Sequence, residues 1–288
     1  MAKSKNGGSR AYIRGRIGSD VYSVGKNGMG EKQQVVRSLA EQVSNPRSSG
    51  QMFGRMIMST TMQAVSALTA IIDHSFDGYP KGQPSISQFI KNNYALIKAD
   101  AIAHPSSSNV FGLNKYQEKG IKLGHYLVSD GNQTLPSSLL AAQGAMQITL
   151  PVGDVTVGGL KSALGLSADG FLTLVTISDA DGVVYFRVQL TTTLSDSTTI
   201  TSGNVGSLFT VTGNVTPTVA LSTNKITFTA TIGGTDATYG IIVSEKVEGA
   251  WKHNRCVLDG AGDYEWDADT AIATYPVGQQ MFLNGGDL

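Results

Sequence analysis

YGIIVSEKVEGAWKHNRCVL, residues 239–258, is the stretch on which the fold turns. Two arms rich in strand formers flank Glu248-Gly249, which predicts a β-hairpin turning at that pair, with Trp251 as a core anchor. The same grammar runs upstream. FLTLVTI (171–177) and KITFTATI (225–232) alternate with period two, the repeat that sends successive side chains to opposite faces of a strand. Asp181-Gly182, Gly203-Asn204, Gly213-Asn214 and Gly233-Gly234 punctuate the runs. Residues 191–240 hold 21 Ser or Thr and a single basic residue, Lys225. Residues 135–288 therefore read as an antiparallel β-sandwich of immunoglobulin-like type, with a jelly roll as the alternative sandwich.

Before this zone the period changes. Residues 46–130 predict a small helical domain: Met52, Phe53, Met56, Ile57, Met62, Val65, Leu68, Ile71 and Ile72 recur at helical spacing up to the breakers Asp77-Gly78-Tyr79-Pro80. The four methionines Met52, Met56, Met58 and Met62 are expected chiefly as fillers of core gaps. A second helix is expected from about Ser85 to Ala103, and a shorter third one over Asn114–Leu123. The whole chain is thus expected to be α+β.

Residues 1–45 form the third zone, a basic arm around DVYSVGKNGMGEKQQVVRS (20–38). Asn27-Gly28 suits a tight turn, so a hairpin is expected. A two-residue turn would set Tyr22 opposite Gln33 and Val24 opposite Glu31; a longer loop could set Val24 opposite Val35. A phosphate cradle does not fit these glycines. Gly25, Gly28 and Gly30 lead into Glu31-Lys32-Gln33, which lacks the Lys-Ser/Thr of a P-loop and puts a carboxylate where phosphate charge would sit. The order G-x-x-G-x-G also departs from the dinucleotide pattern.

The net charge of zero conceals a division. Residues 1–55 carry ten Lys or Arg against three acidic residues, +7; the remainder carries twelve against nineteen, −7. A basic arm and an acidic body in one molecule suit head-to-tail packing between copies. Arg10, Arg14, Arg16, Arg37 and Arg47 are accordingly the expected subunit-interface residues. The arm lacks the interleaved aromatics of a base-stacking surface, which argues against nucleic acid as a partner. Polar residues interrupt every apolar stretch long enough to suggest a membrane span. The start, MAKSKNGGSR, is followed by no apolar run of a secretory signal.

Chemistry-bearing patterns are sparse. Cys256 is the sole cysteine and has no metal-ligand spacing around it. His74, His104, His125 and His253 are scattered, and neither G-x-S-x-G nor H-E-x-x-H occurs. The acidic run Asp259, Asp263, Glu265, Asp267 and Asp269 could offer oxygens to Ca²⁺ but lacks the closing glutamate of an EF-hand, and a solvated turn is the simpler expectation. No enzyme activity, cofactor or metal is expected.

The order of a basic start, a hairpin with Gly25 and Gly28, Val35-Val36-Arg37, then Asn45-Pro46-Arg47, Gln51 and Arg55 entering a helix resembles virion ring proteins of the tail and neck of crAss-like Bacteroides phages, and related Bacteroidetes phage proteins. The resemblance covers residues 1 to about 125. It implies a structural subunit that is made in the host cytoplasm and forms a ring-shaped homo-oligomer in the virion, with other tail, neck or portal proteins as partners. A carbohydrate-binding or adhesin module is the alternative; it would need exposed aromatics, for which Tyr264 and Trp266 are the sequence candidates.

Overall fold

The computed structural model describes residues 3–4, 13–26, 31–38, 49–73, 75–103, 110–111, 121, 123–166, 170–191, 195–261 and 281–282. They fall into two compact units, Met1–Arg47 and Ser48–Leu288. The expected third helix (114–123) and the acidic run beyond Ala261 lie almost wholly outside the described residues, as do Tyr264 and Trp266.

The first unit is an antiparallel meander, β1 (Lys3–Ser4), β2 (Ile13–Ile17), β3 (Asp20–Lys26) and β4 (Lys32–Ser38), with neighbours in chain order. β2 and β3 are joined by Gly18-Ser19, with Ile17 paired to Asp20 and Gly18 at φ 61°, the positive value that a two-residue hairpin turn requires. The β3–β4 hairpin is present, but in neither expected register. Lys26 pairs with Lys32, so the connection takes in residues 27–31 instead of closing on Asn27-Gly28. Tyr22 then faces Val36, and Val24 faces Gln34. The physical gain is the Tyr22–Val36 cross-strand pair, which the two-residue turn would have replaced with Tyr22–Gln33.

In the second unit the elements run α1 (Ser49–Ile72), α2 (Gln83–Ala103), β5 (Val110–Phe111), β6 (Leu127–Ser129), β7 (Leu139–Ala142), β8 (Ala145–Thr149), α3 (Val157–Leu164), β9 (Phe171–Ser178), β10 (Gly182–Leu190), β11 (Phe209–Gly213), β12 (Thr218–Ser222), β13 (Lys225–Thr229), β14 (Ala237–Val247), β15 (Ala250–His253), β16 (Cys256–Val257), β17 (Asp259–Ala261) and β18 (Met281–Phe282). The chain is α+β: mostly antiparallel sheet with three helices among the described residues. One sheet runs β11-β10-β9-β14-β15, with β17 also on β14; the other runs β12-β13-β8-β7. The two pack as a β-sandwich.

Alternation places the core. Leu172 and Leu174 of β9, Phe186 and Val188 of β10, and Ile241 and Val243 of β14 meet Met146, Ile148, Ile226 and Phe228 of the facing sheet. The intervening residues Val175, Ile177 and Ile242 point the other way, into a second core with α1 and α2. β9 is therefore covered on both faces, and Thr173 and Thr176 are buried with it. The described residues of the expected helical domain from Ser49 on and those of the expected sandwich domain, distinct in composition, share this packing within one unit. Each fully buried large side chain contributes about 1.5–3 kcal/mol relative to exposure.

The helices follow their stripes. α1 buries Ile57, Thr61, Ala64, Leu68, Ile71 and Ile72; α2 buries Ser85, Phe89, Asn93, Ile97 and Ala101 at strict four-residue spacing, with Pro84 in its first turn. Met58 and Met62 fall off the α1 stripe and are exposed, so they are not the core fillers expected. α3 was not expected within residues 135–288, read as strands throughout, although its caps are in the sequence: the Thr156 hydroxyl accepts from Gly159 N at 3.1 Å, and Gly165 takes the left-handed C-cap at φ 61°. The β14–β15 hairpin turns at Glu248-Gly249 as expected, with φ 51° and 83°. Trp251 is not a core anchor. It is 39% exposed at the edge of the sheet, its ring against Phe171 at 5.3 Å.

A polar seam ties α2 to β6, Asp77 to β15, and Asn254 to β14. The buried Asn93 amide donates to Leu127 O at 2.9 Å and accepts from Leu127 N at 2.8 Å, taking the place of a neighbouring strand. Asn254 treats β14 similarly, accepting from Val243 N and donating to Ile241 O. Asp77 accepts from His253 N at 2.9 Å, and its own N–H donates to Asp130 O at 3.0 Å. No helix among the described residues is long and apolar enough to cross a membrane.

Candidate functional site

The first unit has two unlike faces. In an antiparallel pair, residues directly opposite share a face. Arg16 lies opposite Val21, and Val21 opposite Arg37, so these three form one row across β2, β3 and β4. Arg14, two residues from Arg16, falls on the same face. Ile17, Tyr22, Val24 and Val36 fall on the other. Three of the five arginines singled out by charge are thus gathered on one side of a sheet, while Arg10 and Arg47 lie outside the described residues.

Neither face is sealed. Every residue of β4 is exposed, Ile17 and Val36 are 50% and 51% exposed, and Arg14, Arg16 and Arg37 are exposed as well. Arg16 Nε donates to Gly18 O at 2.8 Å; among the described residues no carboxylate pairs with Arg14, Arg16 or Arg37. A sheet gains independent stability from burying an apolar face, and this one buries little. β4 also ends the sheet, paired on one side only among the described residues. Its outer N–H and C=O groups are a template for another strand.

In the second unit an open groove of about 380 Å³ is lined by Phe76, Tyr79, Pro80, Lys81, Trp251 and His253. Tyr79 is 45% exposed, so the groove presents two aromatic surfaces to solvent. The sequence had suggested Tyr264 and Trp266 for that role. Nothing in residues 76–81 announced that they would meet 250–253, because the juxtaposition depends on the Asp77–His253 contact.

The nucleophile candidates are placed for packing. Ser244 Oγ and His253 Nδ1 lie 3.0 Å apart, but Ser244 is 2% exposed. Burial pushes the Cys256 thiol from its ordinary 9.0 up to about 12, which keeps it protonated at neutral pH. His125 Nδ1 is 2.8 Å from Leu258 O. His74 and His104 lie outside the described residues. Among the described residues no three His, Cys, Asp or Glu side chains gather as a metal-binding group.

Comparison of the chain with protein-family models, with curated proteins and with solved structures returned no match.

Proposed function

We propose that this chain is a structural, non-enzymatic subunit of a phage virion that assembles as a ring in the tail or neck through its N-terminal sheet. The observation that carries the proposal is the sheet itself: four strands that leave Arg14, Arg16 and Arg37 exposed on one face and Ile17 and Val36 exposed beside half-buried Tyr22 and Val24 on the other. Such a sheet is stabilised by what covers it, and in a ring the cover is a neighbouring subunit. The resemblance of residues 1 to about 125 to crAss-like phage ring proteins points the same way, with other tail, neck or portal proteins as further contacts. Strand addition on β4 is one mode of contact, since backbone hydrogen bonds form regardless of side-chain identity. The body is then an immunoglobulin-like module. Its strand orders, β7-β8-β13-β12 and β15-β14-β9-β10-β11, correspond to ABED and GFCC′C″ of the variable-type sandwich, with aliphatic residues and Phe in place of the disulfide and core Trp.

One observation favours a second reading, a carbohydrate-binding or adhesin module: the Tyr79–Trp251 groove offers aromatic faces of the kind that stack on sugar rings. A single pair of experiments separates the two. Negative-stain images of the purified full chain are expected to show closed rings, and a glycan array is expected to be blank. Monomers by microscopy together with a Trp251-dependent glycan signal would overturn the ring proposal.

A further inference from the structure

We infer that the arginine face of the N-terminal sheet docks on the end of the sandwich where β9 turns into β10, in a second copy of this chain; the inference rests on the copy-to-copy assembly proposed above. Asp179 and Asp181 lie in the β9–β10 turn, and Asp236 immediately precedes β14, its carbonyl accepting from Asp179 N at 3.1 Å. Asp259 stands opposite Tyr239 on the neighbouring β17. Asp181, Asp236 and Asp259 are exposed. The turns that close this end, residues 143–144, 179–181, 214–217 and 230–236, contain no Lys or Arg.

What distinguishes this end is that four unanswered carboxylates gather at it, whereas Asp154 and Glu248, also without a basic partner among the described residues, stand singly on other turns. Elsewhere on the body Asp73, Asp77, Asp130 and Asp196 pair with Lys81, Lys252, Arg255 and Lys161. The four aspartates here have no basic partner among the described residues. The arginine face has the converse property, three guanidinium groups without a carboxylate. The spacings agree: Arg16 and Arg37 are two strands apart, about 10 Å, and β10, β9, β14 and β17 are successive neighbours that set their aspartates at about 5–15 Å. Two unlike patches on one chain make a head-to-tail contact, the kind that closes into a ring. Opposed potentials of this sort set orientation and association rate, and they weaken with salt.

Complementary charge reversal tests the contact. Asp236→Lys/Asp259→Lys is chosen for the body because neither side chain bonds to another loop; Asp259 Oδ1 accepts only from its neighbour Gly260 N. Arg16→Glu/Arg37→Glu is chosen for the sheet. Sedimentation of the wild-type full chain is expected to show assembly at about 0.05 M salt that weakens at about 0.5 M. Each double variant should associate at least about tenfold more weakly, with an unchanged thermal melt, and a 1:1 mixture of the two should recover assembly, since each then offers the other an opposed pair. A wild-type assembly that is indifferent to the body variant, or a mixture that does not recover, would overturn this docking and leave the ring proposal standing. A wild type that stays monomeric would overturn both. Loss of DNA retention in the arginine variant alone, with assembly intact, would assign the arginine face to phosphate and also overturn the inference.

Discussion

Asn93→Leu is expected to destabilise the Ser48–Leu288 unit by about 3 kcal/mol. Asn93 lies on the buried stripe of α2, where its neighbours Phe89 and Ile97 make a hydrophobic replacement look harmless. Its amide, however, satisfies both backbone groups of Leu127 and also donates to Phe89 O at 3.0 Å. Leucine removes the partners of a buried N–H and a buried C=O together, and each orphaned group costs about 1–3 kcal/mol. Part of that sum of about 2–6 kcal/mol is offset by the apolar surface leucine adds, which brings the expected loss to about 3 kcal/mol. Urea unfolding of the purified variant reads the difference directly. A loss under about 1 kcal/mol would mean that β6 has another source of backbone partners.

Gly131→Ala is expected to cost at least about 2–3 kcal/mol for a different reason. A Cβ at Gly131 would fall against the carbonyl oxygen of His253 and within 2.7 Å of the Asp77 carboxylate. Neither can retreat cheaply. His253 O accepts from Gln133 N at 2.8 Å, Asp77 accepts from His253 N, and Asp77 N is tied to Asp130 O on the residue before the glycine. Gly78→Ala is the control: its φ of 78° carries backbone strain, but nothing lies within 4 Å of the added carbon. That strain is about 1–2 kcal/mol. If Gly131→Ala melts no lower than Gly78→Ala, the Asp77–His253 seam is softer than its bonds imply.

The sequence was most legible where structure is decided locally. The Glu248-Gly249 turn, the helix expected from about Ser85 to Ala103 and the strand at 171–177 each depend on a few adjacent residues and stand close to where their patterns put them, while the run at 225–232 is strand only as far as Thr229. The β3–β4 register depended on how many residues the loop takes, and a stretch holding Gly28 and Gly30 has no steric preference strong enough to announce that. Layering was hidden for another reason. Thr173 and Thr176 make β9 read as a half-exposed strand, whereas helices cover one face and the second sheet the other. Trp251 looked like core by size alone, but β15 lies at the sheet edge.

The interaction surface was legible in part. Arg14 and Arg16 share a face by period two, which the sequence already implies. Adding Arg37 to them requires the observed pairings through Val21. The acidic end of the sandwich was invisible beforehand, because Asp181, Asp236 and Asp259 are up to 78 residues apart and only the order β10-β9-β14-β17 brings them together. The β2–β3 hairpin was missed although Gly18-Ser19, following Ile17, is a two-residue turn signal of the expected kind.

Hydrogen exchange across Asp20–Ser38, compared between isolated and assembled chains, tests most directly whether the N-terminal sheet is an assembly element. A sheet with both faces open should exchange quickly in the monomer, and burial against a neighbour should slow β3 and β4 by several orders of magnitude while the amides of β9 and β14 stay protected in both states. Slow exchange across Asp20–Ser38 in the monomer, unaltered on assembly, would contradict the account and make the sheet an ordinary self-sufficient part of its own chain.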